Sequence, residues 1–92
     1  MVRLFARHSV ADYAAWRRAY DAFDAERRDM GVTAHAAYRS VNDPNDVIVW
    51  HDFDTRERAE AFMSSDNLRR ALERAGVQGQ PTVWLAEEAP AA

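Results

Sequence analysis

Arg7-His8-Ser9-Val10-Ala11-Asp12-Tyr13-Ala14-Ala15-Trp16 is the stretch in which the hydrophobic period of the chain changes. Before it, Val2, Leu4, Ala6 and His8 alternate with Arg3, Phe5 and Arg7, the period of two that marks a strand over Val2 to His8. After it, Tyr13, Trp16, Tyr20, Phe23 and Met30 recur at three- and four-residue steps, which places them on one stripe of a helix from Val10 to about Met30. Between the two, Ser9 and Asp12 fit a capping box, in which the serine oxygen accepts an orphan helix N–H. His8 is then the last strand residue, beside the positive end of that helix. Any reactive or binding site is expected to be organised here.

Outward from this junction, Arg17, Arg18, Asp21, Asp24, Arg28 and Asp29 fill the outer side of the helix, and Gly31 ends it. Val32 to Val41 reads as a second strand, and Asn42-Asp43-Pro44-Asn45-Asp46 as a turn. Val47 to Phe53 is β-branched and almost continuously apolar, as a central strand buried on both faces is. Asp54 and Glu57 suggest a second capping box, opening a helix with Ala59, Phe62 and Met63 inward. Ser64-Ser65-Asp66 breaks that helix and caps another piece, whose apolar side is Leu68, Ala71, Leu72 and Ala75 and whose stop is Gly76. Gly79 and Pro81 read as loop punctuation before a last strand, Thr82 to Ala86, with a flexible tail over 87–92.

The order β-α-β-β-α-β predicts an α+β, ferredoxin-like fold: a four-stranded antiparallel sheet with both helical segments on one face. Large apolar residues nevertheless occupy both faces: Leu4 and Phe5, Val49 and Trp50, Trp84 and Leu85. Two helices cover one face only, so the other is expected to be an interface, closed most simply by a homodimer.

Composition bounds the function. A chain of 92 residues is one domain, and at this size it buries only about 60–65 % of its unfolded surface, so an oligomer would help it. It is 48 % hydrophobic and carries a net charge of −3, which argues against a nucleic-acid partner. Every one of its twelve basic residues is arginine. The absence of cysteine excludes disulfides, a thiol nucleophile and thiolate metal sites. No apolar run reaches the roughly 20 residues of a membrane span, and no signal peptide opens the chain, so the reading is cytoplasmic with no membrane partner.

His8, Val10, Asp12, Tyr13 and Trp16, followed by Gly31, Asp43-Pro44-Asn45, Phe53, Ala59, Phe62 and Gly76-Val77, resemble in their order the dimeric α/β-barrel superfamily. More narrowly the chain is similar to the antibiotic-biosynthesis-monooxygenase-like proteins and to small actinobacterial cyclase-like members. The resemblance spans nearly the whole chain. It implies that two sheets close into a barrel across a dimer and that each subunit's pocket lies between its own sheet and helices. It also implies cofactor-free chemistry: oxygenation or cyclisation of aromatic or polyketide-type compounds. The Asn-Trp-His set of haem-degrading relatives has no residue-by-residue match here, nor does a complete catalytic set of the anthrone-type oxygenases.

His8 is the candidate catalytic residue, since an imidazole titrates near neutrality and removes protons from acidic carbons. The helix N-terminus is expected to favour its neutral form, and Asp12 to oppose that effect or orient the ring. Tyr13, Trp16, Tyr20, His35 and His51 are the candidate substrate-binding residues for a small hydrophobic or aromatic molecule, with Phe23 and Met30 as core. If the hairpin pairs Val41 with Val47, His35 opposes Phe53 and lies diagonal to His51, about 7–8 Å away. A one-residue slip separates the two onto opposite faces. No third ligand is evident, so no metal site is expected. Arg27 falls within the aromatic stripe, either as an anion-binding group or as a stem that snorkels to solvent. Asp52 is either a base beside His51 or a charge capping the sheet end. The alternative to an enzyme is a non-catalytic dimeric protein that binds a hydrophobic metabolite.

Overall fold

The computed structural model describes residues 1–91. Its elements run β1 (Val2–Val10), α1 (Tyr13–Ala22), α2 (Asp24–Asp29), β2 (Val32–Arg39), β3 (Asp46–Phe53), α3 (Arg56–Met63), α4 (Asp66–Arg74) and β4 (Val77–Ala86). The strands form one antiparallel sheet in the order β2-β3-β1-β4. This is the expected α+β, ferredoxin-like arrangement, with β1 and β3 central. Residues 87–91 carry no regular structure, and Ala92, the end of the expected tail, lies outside the described residues. Among the described residues no helix is long and apolar enough to cross a membrane.

Several boundaries differ from the sequence reading. β1 runs on past His8, because Val10 is itself buried and the backbone stays paired: its N–H donates to the Asn45 carbonyl, and that of Ala11 to the Gly76 carbonyl. Ser9 is therefore a strand residue and not the cap. Asp12, in extended conformation, caps α1 by accepting the Ala15 N–H at 3.0 Å. The expected single helix is two, joined at Phe23, which leaves helical geometry at φ −84°, ψ 0°. The cap of α3 is Thr55, which accepts the Arg58 N–H, rather than Asp54. Ser65 caps α4 by accepting from Leu68, at the break expected from Ser64-Ser65-Asp66.

The last strand begins at Val77, not Thr82, so Gly79 and Pro81 belong to β4. β4 is an edge strand, where the N–H that proline lacks need not be missed. Gly79 adopts φ +69°, a left-handed conformation glycine tolerates, close to where the β1–β4 register shifts between Arg7 and Ser9.

Leu4, Ala6, Val10, Val47, Val49 and Phe53 on the helix side of the sheet pack against Trp16, Tyr20, Phe23, Ala59 and Phe62. Phe53 and Val47 are fully enclosed, each contributing roughly 1.5–3 kcal/mol. On the opposite side Phe5 stacks on Trp84 at 5.4 Å between ring centres, and the Arg3 guanidinium lies 3.8 Å over Trp50. Arg3 also grips Asp52 with two hydrogen bonds of 2.7 and 2.9 Å. No helix covers this side; Trp84 remains 45 % and Tyr38 57 % exposed.

Candidate functional site

A cavity of about 460 Å³ lies between the sheet and the helices. Leu4, Ala6 and Val49 form its sheet side, Trp16, Tyr20 and Phe23 the α1 side, and Phe62 part of the α3 side. α4 closes it with Leu68, Ala71 and Leu72. None of the residues of α4 is fully buried; Leu68 and Ala71 pack partly buried against the core and, with Leu72, face the cavity. His8, His51 and Arg27 bring polar groups to this apolar wall, and Ser64, Ser65, Asp66, Arg69 and Gln80 line the cavity as well.

His8 projects from β1 on the helix side and is 6 % exposed. Its ring lies 5.8 Å from that of Trp16. Among the described residues neither ring nitrogen has a hydrogen-bond partner. A buried polar group left so costs about 1–3 kcal/mol, and such a cost is commonly retained for function. Burial pushes the His8 pKa below its ordinary value, with the Asp46 carboxylate pulling weakly the other way. His8 is therefore neutral, the form a base requires. The cause is burial. Asp12 is engaged in capping, and Asp46 is itself clasped by Arg7 at 3.0 and 2.6 Å.

His35 and His51 face each other directly across β2 and β3, their rings stacked 5.7 Å apart. The hairpin register places Arg39, not Val41, opposite Val47. Val41 instead stands in the turn, 99 % exposed. This two-residue difference keeps both histidines on the helix side, because side chains alternate with period two. Their surroundings differ. His35 Nε2–H donates to Asp24 Oδ1 at 3.1 Å, and its Nδ1 accepts the Tyr20 hydroxyl at 2.5 Å. That hydrogen bond is the main reason the Asp24 carboxyl is held below its usual range. His51 is 6 % exposed and accepts on Nε2 from Arg27 at 3.0 Å. Burial first, then the Arg27 charge, lower its pKa to about 3.

Arg27 does not snorkel. It is 2 % exposed, with its guanidinium 4.1 Å over the Tyr20 ring and an N–H to the Tyr20 carbonyl at 2.9 Å. Among the described residues Asp24 is its only carboxylate contact, at 3.4 Å. Sequence spacing put Arg27 on the right stripe, but the same spacing suits a stem that runs out to water. The network Asp24–His35–Tyr20 and Arg27–His51 joins residues from α1, α2, β2 and β3, and spacing along the chain does not foretell it.

Trp16, Tyr20 and His51 thus line the cavity together with His8. His35 stands outside the wall, hydrogen-bonded to Tyr20. Tyr13 also stands outside, under the Arg39 guanidinium at 4.2 Å, with its backbone N–H on Asn45 Oδ1. Asp52 points away from the cavity, onto Arg3 on the opposite face, and is not positioned as a base. Among the described residues no three side chains gather as a metal site would need.

The sequence matches no family model and no curated protein. The structure does have neighbours. An antibiotic biosynthesis monooxygenase superposes with a TM-score of 0.75 at 16 % identity, covering 98 % of this chain and 100 % of that one. The fold is that of the antibiotic-biosynthesis-monooxygenase-like proteins. A Bordetella bronchiseptica protein assigned to the same group superposes at 0.83 with 15 % identity, covering 97 % of each chain. SnoaB, a cofactor-independent oxygenase from Streptomyces nogalater, superposes at 0.74 with 12 % identity, covering 96 % of this chain and 94 % of its own. At such identities the monooxygenase-like architecture is shared, and residue roles have to be argued from this chain's own cavity.

Proposed function

We propose that the protein is a small-molecule enzyme of the cofactor-independent oxygenase or cyclase kind, acting on an aromatic or polyketide-type compound with His8 as general base. The observation that carries this reading is the neutral, buried His8 ring in the cavity wall with no partner on either nitrogen among the described residues. The flat rings of Trp16 and Tyr20, stacked 4.8 Å apart, offer a planar aromatic substrate a wall of matching shape. The likeness of fold to SnoaB supports the same class of chemistry.

In the oxygenase form, His8 takes a proton from an activated ring CH2. The resulting carbanion, spread over the aromatic system, passes one electron to dioxygen and then joins the superoxide formed, giving a peroxide. The peroxide oxygen takes the proton back from His8. Loss of the second C–H proton with O–O cleavage leaves C=O and water, so that CH2 and O2 become C=O and H2O. In the cyclase form the carbanion adds to a carbonyl of the same molecule. The reading also has two copies joined through the uncovered sheet face, where Phe5, Trp50, Trp84 and Tyr38 lie.

The test offers anthrone to metal-stripped protein and follows oxygen uptake and quinone formation. His8→Asn keeps the ring's approximate volume and polarity without a base, and is expected to lower the rate about 10²–10⁴-fold. Activity should fall as pH drops through the His8 pKa, which lies below the ordinary histidine value. Equal turnover by both proteins overturns the assignment. Tight binding of anthrone-like compounds without turnover by either moves the reading to a dimeric metabolite-binding protein.

A further inference from the structure

His51 carries an N–H for which the described residues provide no acceptor. The Arg27 guanidinium has only donors, and its Nε–H points at His51 Nε2 from 3.0 Å. Nε2 must therefore be the bare nitrogen of a neutral ring, and the proton sits on Nδ1. That nitrogen is buried and unpartnered. The ring is held between His35 at 5.7 Å and Phe62 at 5.3 Å, with Tyr20 edge-on at 6.2 Å. Arg27 is held in turn by the Tyr20 carbonyl and the Tyr20 ring. The tautomer is thus fixed by packing.

We infer that His51 Nδ1–H is the hydrogen-bond donor that receives an oxygen of the ligand in this cavity, with Arg27 as the positioning residue that fixes the donor's tautomer. The inference rests on the cavity reading above and divides its labour. His8 has no cation beside it and supplies the base. His51 faces a fixed cation and remains a neutral donor, a role imidazole fills where positive charge nearby keeps it from protonating. Arg27 also polarises the ring, which strengthens the N–H.

The sheet register sets the ligand's dimensions. His51 is paired with Leu4, and His8 stands four residues further along the same strand on the same face. Their backbone positions are therefore about 13 Å apart along β1. A ligand that touches both rings has its acidic carbon and its oxygen at opposite sides of one conjugated system. A fused polycyclic ketone whose acidic ring CH2 lies on a different ring from its carbonyl has that geometry; a simple monocyclic enone is too short, and a quinone, which has no acidic carbon, offers the oxygen alone. The step balances within such a ligand: the C–H proton goes to His8, and the electron pair moves through the rings to the oxygen held by His51.

Two three-ring probes of the same outline test this: anthraquinone and anthracene, which differ at the two central-ring carbons, carbonyls in the first and C–H in the second. Heteronuclear NMR of protein with isotope-labelled histidine is expected to show His51 as the Nδ1–H tautomer. Its Nδ1–H signal should move with anthraquinone and stay put with anthracene. His51→Phe should weaken anthraquinone binding about 10-fold and leave anthracene binding in place. Arg27→Met should release the tautomer, so that an Nε2–H population appears. His8→Asn should retain the Nδ1 shift, which separates this inference from the base assignment: oxygen-dependent binding through His51 without turnover upholds it while the enzyme reading falls. An Nε2–H tautomer in the wild type, equal affinity for the two probes, or no binding of anthraquinone overturns it.

Discussion

Arg27 and His51 share a hydrogen bond of 3.0 Å in which a buried cation meets a neutral imidazole and not a carboxylate. The pair has a consequence for stability as well as for ligand binding. Adding a proton to His51 would place two positive charges side by side away from water. The folded protein therefore refuses that proton down to a pH of about 3. His8, lowered by burial alone, behaves the same way to a lesser degree.

Stability should accordingly fall in mild acid. In the unfolded chain each histidine protonates near pH 6.5, so below that pH the unfolded state binds protons the native state does not. Stability is full above 6.5 and declines as pH drops toward the folded values. The slope is about 1.4 kcal/mol per pH unit for each histidine kept neutral, or about 2 kcal/mol from His51 alone between pH 6.5 and pH 5. Urea melts at constant ionic strength measure it, and His51→Phe should flatten the dependence. A stability that does not change from pH 7 to pH 5 contradicts the neutral state assigned to these rings.

Trp16 is 3 % exposed, yet it also lines the cavity. Trp16→Ala should cost about 2–3 kcal/mol, below the 3–5 kcal/mol typical of a large aromatic enclosed on every side. Binding of anthraquinone should suffer more than folding, because the same ring supplies a flat contact surface. Paired urea melts and ligand titrations separate the two effects. A loss of 5 kcal/mol with unchanged affinity would make the ring pure core.

Trp84, stacked on Phe5 and half exposed, sits where a second copy is proposed to pack. Sedimentation equilibrium of the wild type at micromolar concentration should return twice the 10.5 kDa chain mass. Trp84→Glu should return the single mass, since an unpaired carboxylate in an apolar interface is strongly unfavourable. A monomeric wild type removes the barrel.

The fold was legible because its period changes are sharp: alternation through Val2–His8, the three-and-four stripe from Tyr13, the β-branched run Val47–Phe53. Helix starts were less legible. Ser9, Asp12, Asp54 and Thr55 all have capping side chains, and backbone pairing of neighbours such as Val10 decides which is used. The hairpin register was open for a similar reason: it depends on how residues 40–46 fold the turn, and no apolar pattern in β2 pins it. His8, Trp16, Tyr20 and His51 were found as cavity residues because stripes and strand faces reveal direction. Tyr13 begins the same stripe but lies beyond the cavity's end. The state of Arg27 was hidden, since burial of its head depends on Tyr20 and His51 arriving from other elements.

α4 closes the cavity with Leu68, Ala71 and Leu72 while fully burying none of its own residues. It leans on a hollow, and a guest that fills the hollow becomes a removable part of the protein's interior. Occupancy is then written in the melting curve. A ligand at one hundred times its Kd adds about 2.7 kcal/mol to the native state, which for a domain of this size raises Tm by about 10–20 °C. Heat alone can therefore sort a compound collection for the molecule this cavity was shaped to hold, before any reaction has been guessed.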